Sequence, residues 1–348
     1  MNPFILPIFM MGMGLGTMAT LFSSHWLLAW MGLELNTIAI IPLMARHHHP
    51  RAVEATTKYF LIQAAAAALL LFASVSNAWL SGEWQIQEMT HPVPSTIIII
   101  ALALKIGLAP LHAWLPEVLQ GLDLTTGLIM STWQKLAPMA IFLQIQLPNP
   151  LILVMFGLAS TLMGGWGGLN QTHLRKILAY SSIAHLGWMI LIIQYLPSLT
   201  LFSLLTYLLM TTSIFLIFKH FSSTNISTLA TTWAKTPILT ALTPLTLLSL
   251  AGLPPLTGFA PKWLILQELN NQNLPLTATA AALSALLSLY FYLRLTYAMT
   301  LTVSPNTTLS FTPWRLKALK TPFLTSLTTT ATITLLPLTP SLLCLITP

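Results

Sequence analysis

Residues 95–119 read STIIIIALALKIGLAPLHAWLPEVL, and this stretch decides the fold. As a helix rising 1.5 Å per residue, such a run is long enough to cross a hydrocarbon core about 30 Å thick. Its first ten residues carry no charge, yet Lys105 stands near its middle, followed at once by Gly107 and Pro110. An apolar run of this length around one lysine and a Gly–Pro interruption describes a membrane span that is polar at one depth.

Similar runs fill the chain. Eleven spans are expected, at 3 to 22, 25 to 45, 58 to 80, 95 to 119, 124 to 146, 150 to 170, 173 to 196, 198 to 220, 237 to 269, 276 to 300 and 323 to 345. Of the 348 residues 55% are apolar and 6% are charged, with a mean hydropathy of +0.78. That composition excludes a water-soluble globule and leaves no room for a separate soluble domain, so 1–348 reads as a single transmembrane domain of all-α, polytopic class. The ninth span is longer than one straight crossing needs and contains Gly252, Pro254 and Pro255, so it is expected to be broken.

Basic residues favour one side of a membrane. Arg46, Arg51, Lys58, Arg175, Lys176, Lys219, Lys235, Arg315, Lys317 and Lys320 all fall in or beside even-numbered loops, whereas odd-numbered loops hold Glu83, Glu88 and Glu268. The N-terminus is therefore expected on the positive-inside face and the C-terminus on the other. The net charge of +7 reflects this orientation and not a nucleic-acid surface. The opening MNPFILPIFMMG enters the membrane at once, so no cleavable presequence is expected.

Five charged residues remain inside spans: Glu34, Lys105, Lys135, Lys262 and Arg294. Each costs about 2.5 to 3.5 kcal/mol at a helix centre on an insertion scale, which marks it as a functional candidate facing protein or water. Arg294, in LYFYLRLTYAM, lies near a span end and can snorkel to the interface instead. Glu34, Lys105 and Lys135 are too deep for that. Lysine suits proton transfer because desolvation disfavours its charged form, while arginine stays charged. A carboxylate about 7 Å away would oppose that effect by roughly 2.4 kcal/mol at an effective dielectric near 20, so moving the partner moves the proton. His112 follows Lys105 by seven residues, which in an unbroken helix is close to two turns and one face. Its imidazole could pass a proton on or serve as a hydrogen-bonded packing residue.

The pattern around Lys105 returns in the ninth span: GLPPLTGFAPKW, from Gly252, lies in register with GLAPLHAWLPEV, from Gly107, matching Gly, Leu, Pro, Leu and Pro. Five spans separate the copies, so they cross in opposite directions. Two inverted five-helix repeats, 3–146 and 150–300, each with a broken helix, followed by a C-terminal helix at 323–345, form the expected architecture. The registration is imperfect, because Lys262 aligns with Glu117 and not with Lys105.

WMGLELNTIAIIPLM around Glu34, KIGLAPLHAWLPEV, STWQKLAP around Lys135, YSSIAHLGWM and GLPPLTGFAPKW together resemble the antiporter-like membrane subunits of respiratory complex I, the proton-pumping NADH:ubiquinone oxidoreductase. The resemblance covers essentially the whole length. Animal members of one branch lack the first three helices of their bacterial counterparts, in keeping with eleven spans. It implies that Glu34 is the glutamate paired with a lysine on the broken helix, Lys105 that lysine, Lys135 the central lysine, and Lys262 the ionisable residue of the second broken helix. His112 and His185 match polar positions along the central axis.

The implied activity is proton translocation across the mitochondrial inner membrane, with the N-terminus on the matrix side and the C-terminus facing the intermembrane space. Electron transfer from NADH to ubiquinone is implied to occur in other subunits, which would hold the FMN, iron–sulfur clusters and quinone. The proton would pass from the Glu34 and Lys105 pair by way of His112 and Lys135, with His185 assisting, towards Lys262. Implied partners are the complex's membrane chains 4L and 4 and membrane lipids, cardiolipin among them. Two other readings stay open. A cation/proton antiporter subunit would want more oxygen ligands at depth than Glu34 alone supplies, and a structural subunit would use its charges only to fix helix register.

The remaining motifs call for no cofactor or metal in this chain. GMGLG at 12–16 follows no strand, so its glycines read as helix packing and not as a nucleotide fingerprint, as do those of GGWGG at 164–168. His47 to His49 lie beside Arg46 and Arg51 in a loop suited to headgroups or a neighbouring subunit. The single cysteine, Cys344, excludes a disulfide framework and an iron–sulfur cluster in this chain.

Overall fold

The computed structural model describes residues 5–45, 49–89, 91–145, 150–234, 236–301 and 323–346. Arg46, His47, His48, Lys235, Arg315, Lys317 and Lys320 lie outside them. The described residues are helical apart from short connections and two isolated bridges, His25 with Gln85 and His173 with Asn225. Among the described residues five helices are long and apolar enough to cross a membrane unaided, or six when one bent pair is included. The chain forms two compact units, Met1–Ser160 and Thr161–Pro348.

In the first unit α1 (Ile5–Leu21) packs on α2 (Trp26–Met44). A Cβ on Gly16 would lie 2.8 Å from the Gly32 carbonyl oxygen, and one on Gly32 would lie 2.9 Å from that of Gly16. The backbones meet where both side chains are absent, so Gly16 of the GMGLG motif serves helix packing. α3 (Pro50–Ser81) starts well before the span expected at 58. Pro50 suits a first turn, and His49 caps it by accepting the Arg51 N–H at 3.3 Å. α4 (Pro92–Ile106) then stops, and the helix resumes as α5 (Trp114–Gly121).

The fifth expected span is not one helix. α6 (Leu124–Ser131) and α7 (Trp133–Gln144) are separated at Thr132, whose backbone has φ −112° and ψ −70°. The cause is local: the Leu128 carbonyl receives the Thr132 N–H at 3.0 Å, the Thr132 hydroxyl at 2.7 Å and the Ser131 hydroxyl at 3.0 Å. Hydroxyls bonding back to the preceding turn compete with the helical ladder and bend it.

α8 (Leu151–Gly168) begins in the first unit and ends in the second. The second unit continues with α9 (Leu174–Ile192), α10 (Pro197–Phe221), the single turn α11 (Ile226–Ala230), α12 (Pro237–Ala251), α13 (Phe259–Asn271) and α14 (Pro275–Thr300). α10 is central and packs on α9, α12 and α13. The GGWGG glycines again admit neighbours: a Cβ on Gly164 would meet the Ala184 backbone, and one on Gly165 the Leu287 side chain. The last expected span, 323–345, is instead α15 (Phe323–Thr334) and α16 (Thr339–Ile346), bent by 69°. Pro337 and Pro340 lack the N–H groups a continuous ladder needs.

The two helix breaks match in detail. Pro92 begins α4 and Pro237 begins α12, each of 15 residues, and each ends before a glycine in the left-handed region, Gly107 at φ 85° and Gly252 at φ 80°. Leu108 donates to the Ala103 carbonyl and Leu253 to that of Leu248, the same bond spanning the last turn. A cis peptide follows in both, Ala109–Pro110 and Pro254–Pro255. The helices resume at Trp114 and Phe259, again corresponding positions.

Candidate functional site

A helix of 15 residues is only about 22 Å long, so α4 and α12 end inside the depth of a membrane and expose their last carbonyls there. In the first break side chains satisfy two of them. Trp114 Nε1 donates to the Leu104 carbonyl at 3.2 Å, and Gln63 Nε2 to that of Lys105 at 3.2 Å. Lys105 is thereby held at the tip of α4.

Lys105 is 6% exposed and Lys135 is 4% exposed. Both line one cavity of about 20 Å³, together with Asn36, Tyr59, Gln63 and Gln134. The Lys105 Nζ has no hydrogen-bond partner among the described residues. Glu34, on α2, is partly buried; its carboxylate accepts the Thr37 hydroxyl at 3.0 Å and acts electrostatically on Lys105 and Tyr59. The two lysines thus share one small space with three amide side chains, and Glu34 is not among the residues that line it. His112 is not among the residues that line this cavity either. The chain is not helical between Gly107 and Ala113, so the two-turn spacing from Lys105 does not apply, and the partly buried imidazole engages the Pro110 backbone.

The second unit holds its own set. Lys262, on α13, is partly buried and donates from Nζ to the Ala251 carbonyl at 2.7 Å. Two small cavities are lined by both Lys262 and His185, and the His185 ring lies 5.6 Å from that of Tyr207. At the position corresponding to Lys262, the first unit has Glu117, which instead turns outward to Lys58 at 2.8 Å. Arg294 is partly buried, and its Nη1 donates to the Leu169 carbonyl at 2.8 Å, just past the end of α8, where a cation suits the helix dipole. Among the described residues no three His, Cys, Asp or Glu side chains gather as metal ligands.

Formal charge alone passes over Asn36, Gln63 and Gln134. They are uncharged amides at depth, and the cost of burying an unpaired amide is the signal that singles them out.

Two interrupted apolar helices with lysines at the interruptions define a polytopic membrane protein of transporter-like build. The chain belongs to the family described as NADH:quinone oxidoreductase/Mrp antiporter, TM, whose model matches residues 23–288; a second model, NADH dehydrogenase subunit 2 C-terminus, matches 289–343. It is 68% identical over 345 residues to NADH-ubiquinone oxidoreductase chain 2 of Tetraodon nigroviridis, covering 99% of both chains. It is 66% identical to the protein of that name from Carassius auratus over 100% of both. Among solved structures it resembles a chain of respiratory complex I from Thermus thermophilus with bound aureothin. That match has a TM-score of 0.86 and 26% identity, covering 99% of this chain and 80% of that one.

Proposed function

We propose that this chain is a core membrane subunit of respiratory complex I, the proton-translocating NADH:ubiquinone oxidoreductase, and that its buried Glu, Lys and His side chains carry protons. Identity to the vertebrate relatives over their full length supports the first part. One observation carries the second: two almost fully buried lysines, Lys105 and Lys135, share one small cavity with the amides of Asn36, Gln63 and Gln134.

Burying an ionised lysine in a low dielectric carries a desolvation cost that an apolar residue avoids. A group that must gain and lose a proton accepts that cost. In this reading Lys105 holds a proton while the Glu34 charge is near and releases it towards Lys135 when hydration or geometry changes. His112, in the first break, and Lys262 with His185, in the second unit, belong to the same relay. The redox groups, FMN, iron–sulfur clusters and ubiquinone, belong to other subunits, and this chain has no catalytic redox residue.

The same reading makes the chain a protein of the mitochondrial inner membrane with eleven spans, its N-terminus in the matrix and its C-terminus in the intermembrane space. The matching breaks at Gly107 and Gly252 support two inverted repeats over 3–146 and 150–300, with the bent segment at 323–345 added. Partners are other subunits of the complex, with membrane chains 4L and 4 as neighbours and cardiolipin among the lipids.

The test is proton pumping and NADH:quinone turnover in reconstituted complex carrying Lys105→Ala, with assembly checked by intact mass. Assembled complex that loses pumping and turnover together supports the relay. Wild-type pumping would favour a structural role for the buried charge. Sodium-dependent exchange in place of proton pumping would favour a cation antiporter.

A further inference from the structure

The cavity between α2, α4 and α7 contains a polar side chain that the relay above does not use. Asn36 is 2% exposed, and neither its Oδ1 nor its Nδ2 has a hydrogen-bond partner among the described residues. It lines the cavity that Lys105 and Lys135 also line. Its place is well determined: its backbone carbonyl accepts Gln134 Nε2 at 3.3 Å, and its backbone lies against Gly16 of α1, where a Cβ would come within 3.0 Å of the Asn36 nitrogen. The side chain is therefore held at the cavity by both its neighbours and has nothing there to bond.

Buried amides seldom go unpaired. The other unpartnered group at this cavity is the Lys105 Nζ, which has donors and no acceptor capacity while protonated. The carboxamide has both. A cavity of about 20 Å³ exceeds the space one water centre needs, and it offers the two or more polar partners that hold a buried water.

We propose that Asn36 is a positioning residue of the proton relay, holding an ordered water against Lys105. Its Oδ1 accepts from that water, and the water's oxygen accepts from the Lys105 ammonium. Being uncharged, the amide orients the water without changing the charge balance between Glu34 and the lysines. The water is then the first acceptor when Lys105 gives up its proton, and no bond other than O–H and N–H changes. The inference rests on the relay reading for its role and on the cavity alone for the bound water.

Two measurements on the assembled complex test it. The first is the density of the wild-type complex at a resolution where other buried waters are seen. A water peak within hydrogen-bonding reach of Asn36 and Lys105 Nζ is expected, and a dry cavity overturns the proposal. The second compares turnover and its solvent deuterium isotope effect in Asn36→Leu, which keeps the branching at Cγ and removes the polar atoms, and Asn36→Ser, which supplies a hydroxyl and leaves room for water. Asn36→Leu should lower turnover about fivefold with a changed isotope effect, and Asn36→Ser should recover part of both. Wild-type turnover and isotope effect in Asn36→Leu would overturn the positioning role. Should Asn36→Leu fail to assemble, the density and the Asn36→Ser isotope effect decide. A wet cavity combined with normal pumping in Lys105→Ala would instead remove the relay reading and leave the bound water standing.

Discussion

The Lys262 ammonium donates to the Ala251 carbonyl at 2.7 Å, joining the first turn of α13 to the last residue of α12 across the helix break. One side chain thus satisfies a carbonyl the interruption exposes and marks the depth at which the second unit is polar. A charge-assisted bond of this kind contributes about 1.5 to 3 kcal/mol. Lys262→Met keeps the length and removes the donor. The expected outcome is assembled complex with turnover lowered about tenfold, equivalent to about 1.4 kcal/mol on the limiting step. Unchanged pumping in vesicles would show that Lys262 only fastens the break.

The glycines at the two breaks make a sharper comparison. Both have positive φ, so alanine at either costs roughly 1 to 2 kcal/mol in backbone conformation. They differ in what a Cβ would meet. At Gly252 it would lie 2.8 Å from Lys262 Cδ and 3.1 Å from its Nζ, whereas at Gly107 it would meet Leu115 Cδ1 at 2.9 Å. Gly252→Ala should therefore lose both thermal stability and turnover. Gly107→Ala should lose stability, with turnover per assembled complex reduced less. Equal turnover in the two variants would deny the coupling of Gly252 to Lys262.

Much of this arrangement was legible before any coordinates. A lysine in mid-span is costly wherever the helix packs, and Gly followed by Pro stops a helix regardless of its neighbours, so Lys105, the two breaks and the matching of Gly107 with Gly252 could be read from residue type and spacing. The interruption at Thr132 could not, because it depends on three donors converging on the Leu128 carbonyl, which is a matter of rotamers. The early start of α3 hinges on a histidine cap that composition hides. The position of His112 relative to Lys105 could not be read from spacing, because two-turn spacing presumes an unbroken helix and the chain is not helical between Gly107 and Ala113. Asn36 stayed hidden because burying a neutral amide costs less than burying an ionised group, and its lack of partners emerges only from packing.

Glu34 and Thr37 separate charge from hydrogen bonding on α2. The Thr37 hydroxyl donates to the Glu34 carboxylate at 3.0 Å and to its backbone carbonyl at 2.8 Å. Glu34→Gln keeps the shape and removes the charge that acts on Lys105. Thr37→Val keeps the charge and removes the donor. Turnover should fall about fivefold in Glu34→Gln, about 1 kcal/mol on the barrier, and less than twofold in Thr37→Val. The reverse order in steady-state NADH:quinone assays would place the functional interaction in the hydrogen bond.

Lys58 sits between two carboxylates, 2.8 Å from Glu54 and 2.8 Å from Glu117, and all three side chains are solvent-exposed. Exposed pairs of this kind contribute about 0 to 1 kcal/mol and are screened by salt. Lys58→Ala should shift the melting temperature of the complex only slightly, with the difference vanishing at about 1 M salt, where the Debye length is about 3 Å. A large, salt-independent loss would mean that this cluster is buried against a neighbouring subunit.

The contact of α1 with α2 offers a test of packing without charge. Gly16 and Gly32 lie backbone to backbone, and a Cβ on Gly32 would also meet Thr20 Cγ2 at 2.7 Å. Leucine at position 32 would force the helices apart, at a cost of about 1 to 3 kcal/mol for overpacking a tight interface. Asn36 and Glu34 follow on the same helix, so the displacement reaches the cavity that Asn36 lines. Gly32→Leu should therefore assemble poorly and melt early, and the assembled fraction should turn over more slowly. Gly14→Leu should behave as wild type, because a Cβ there meets nothing within 4 Å. Comparable losses in both variants would mean that bulk anywhere on α1 or α2 is harmful, and the glycine contact would no longer explain the effect.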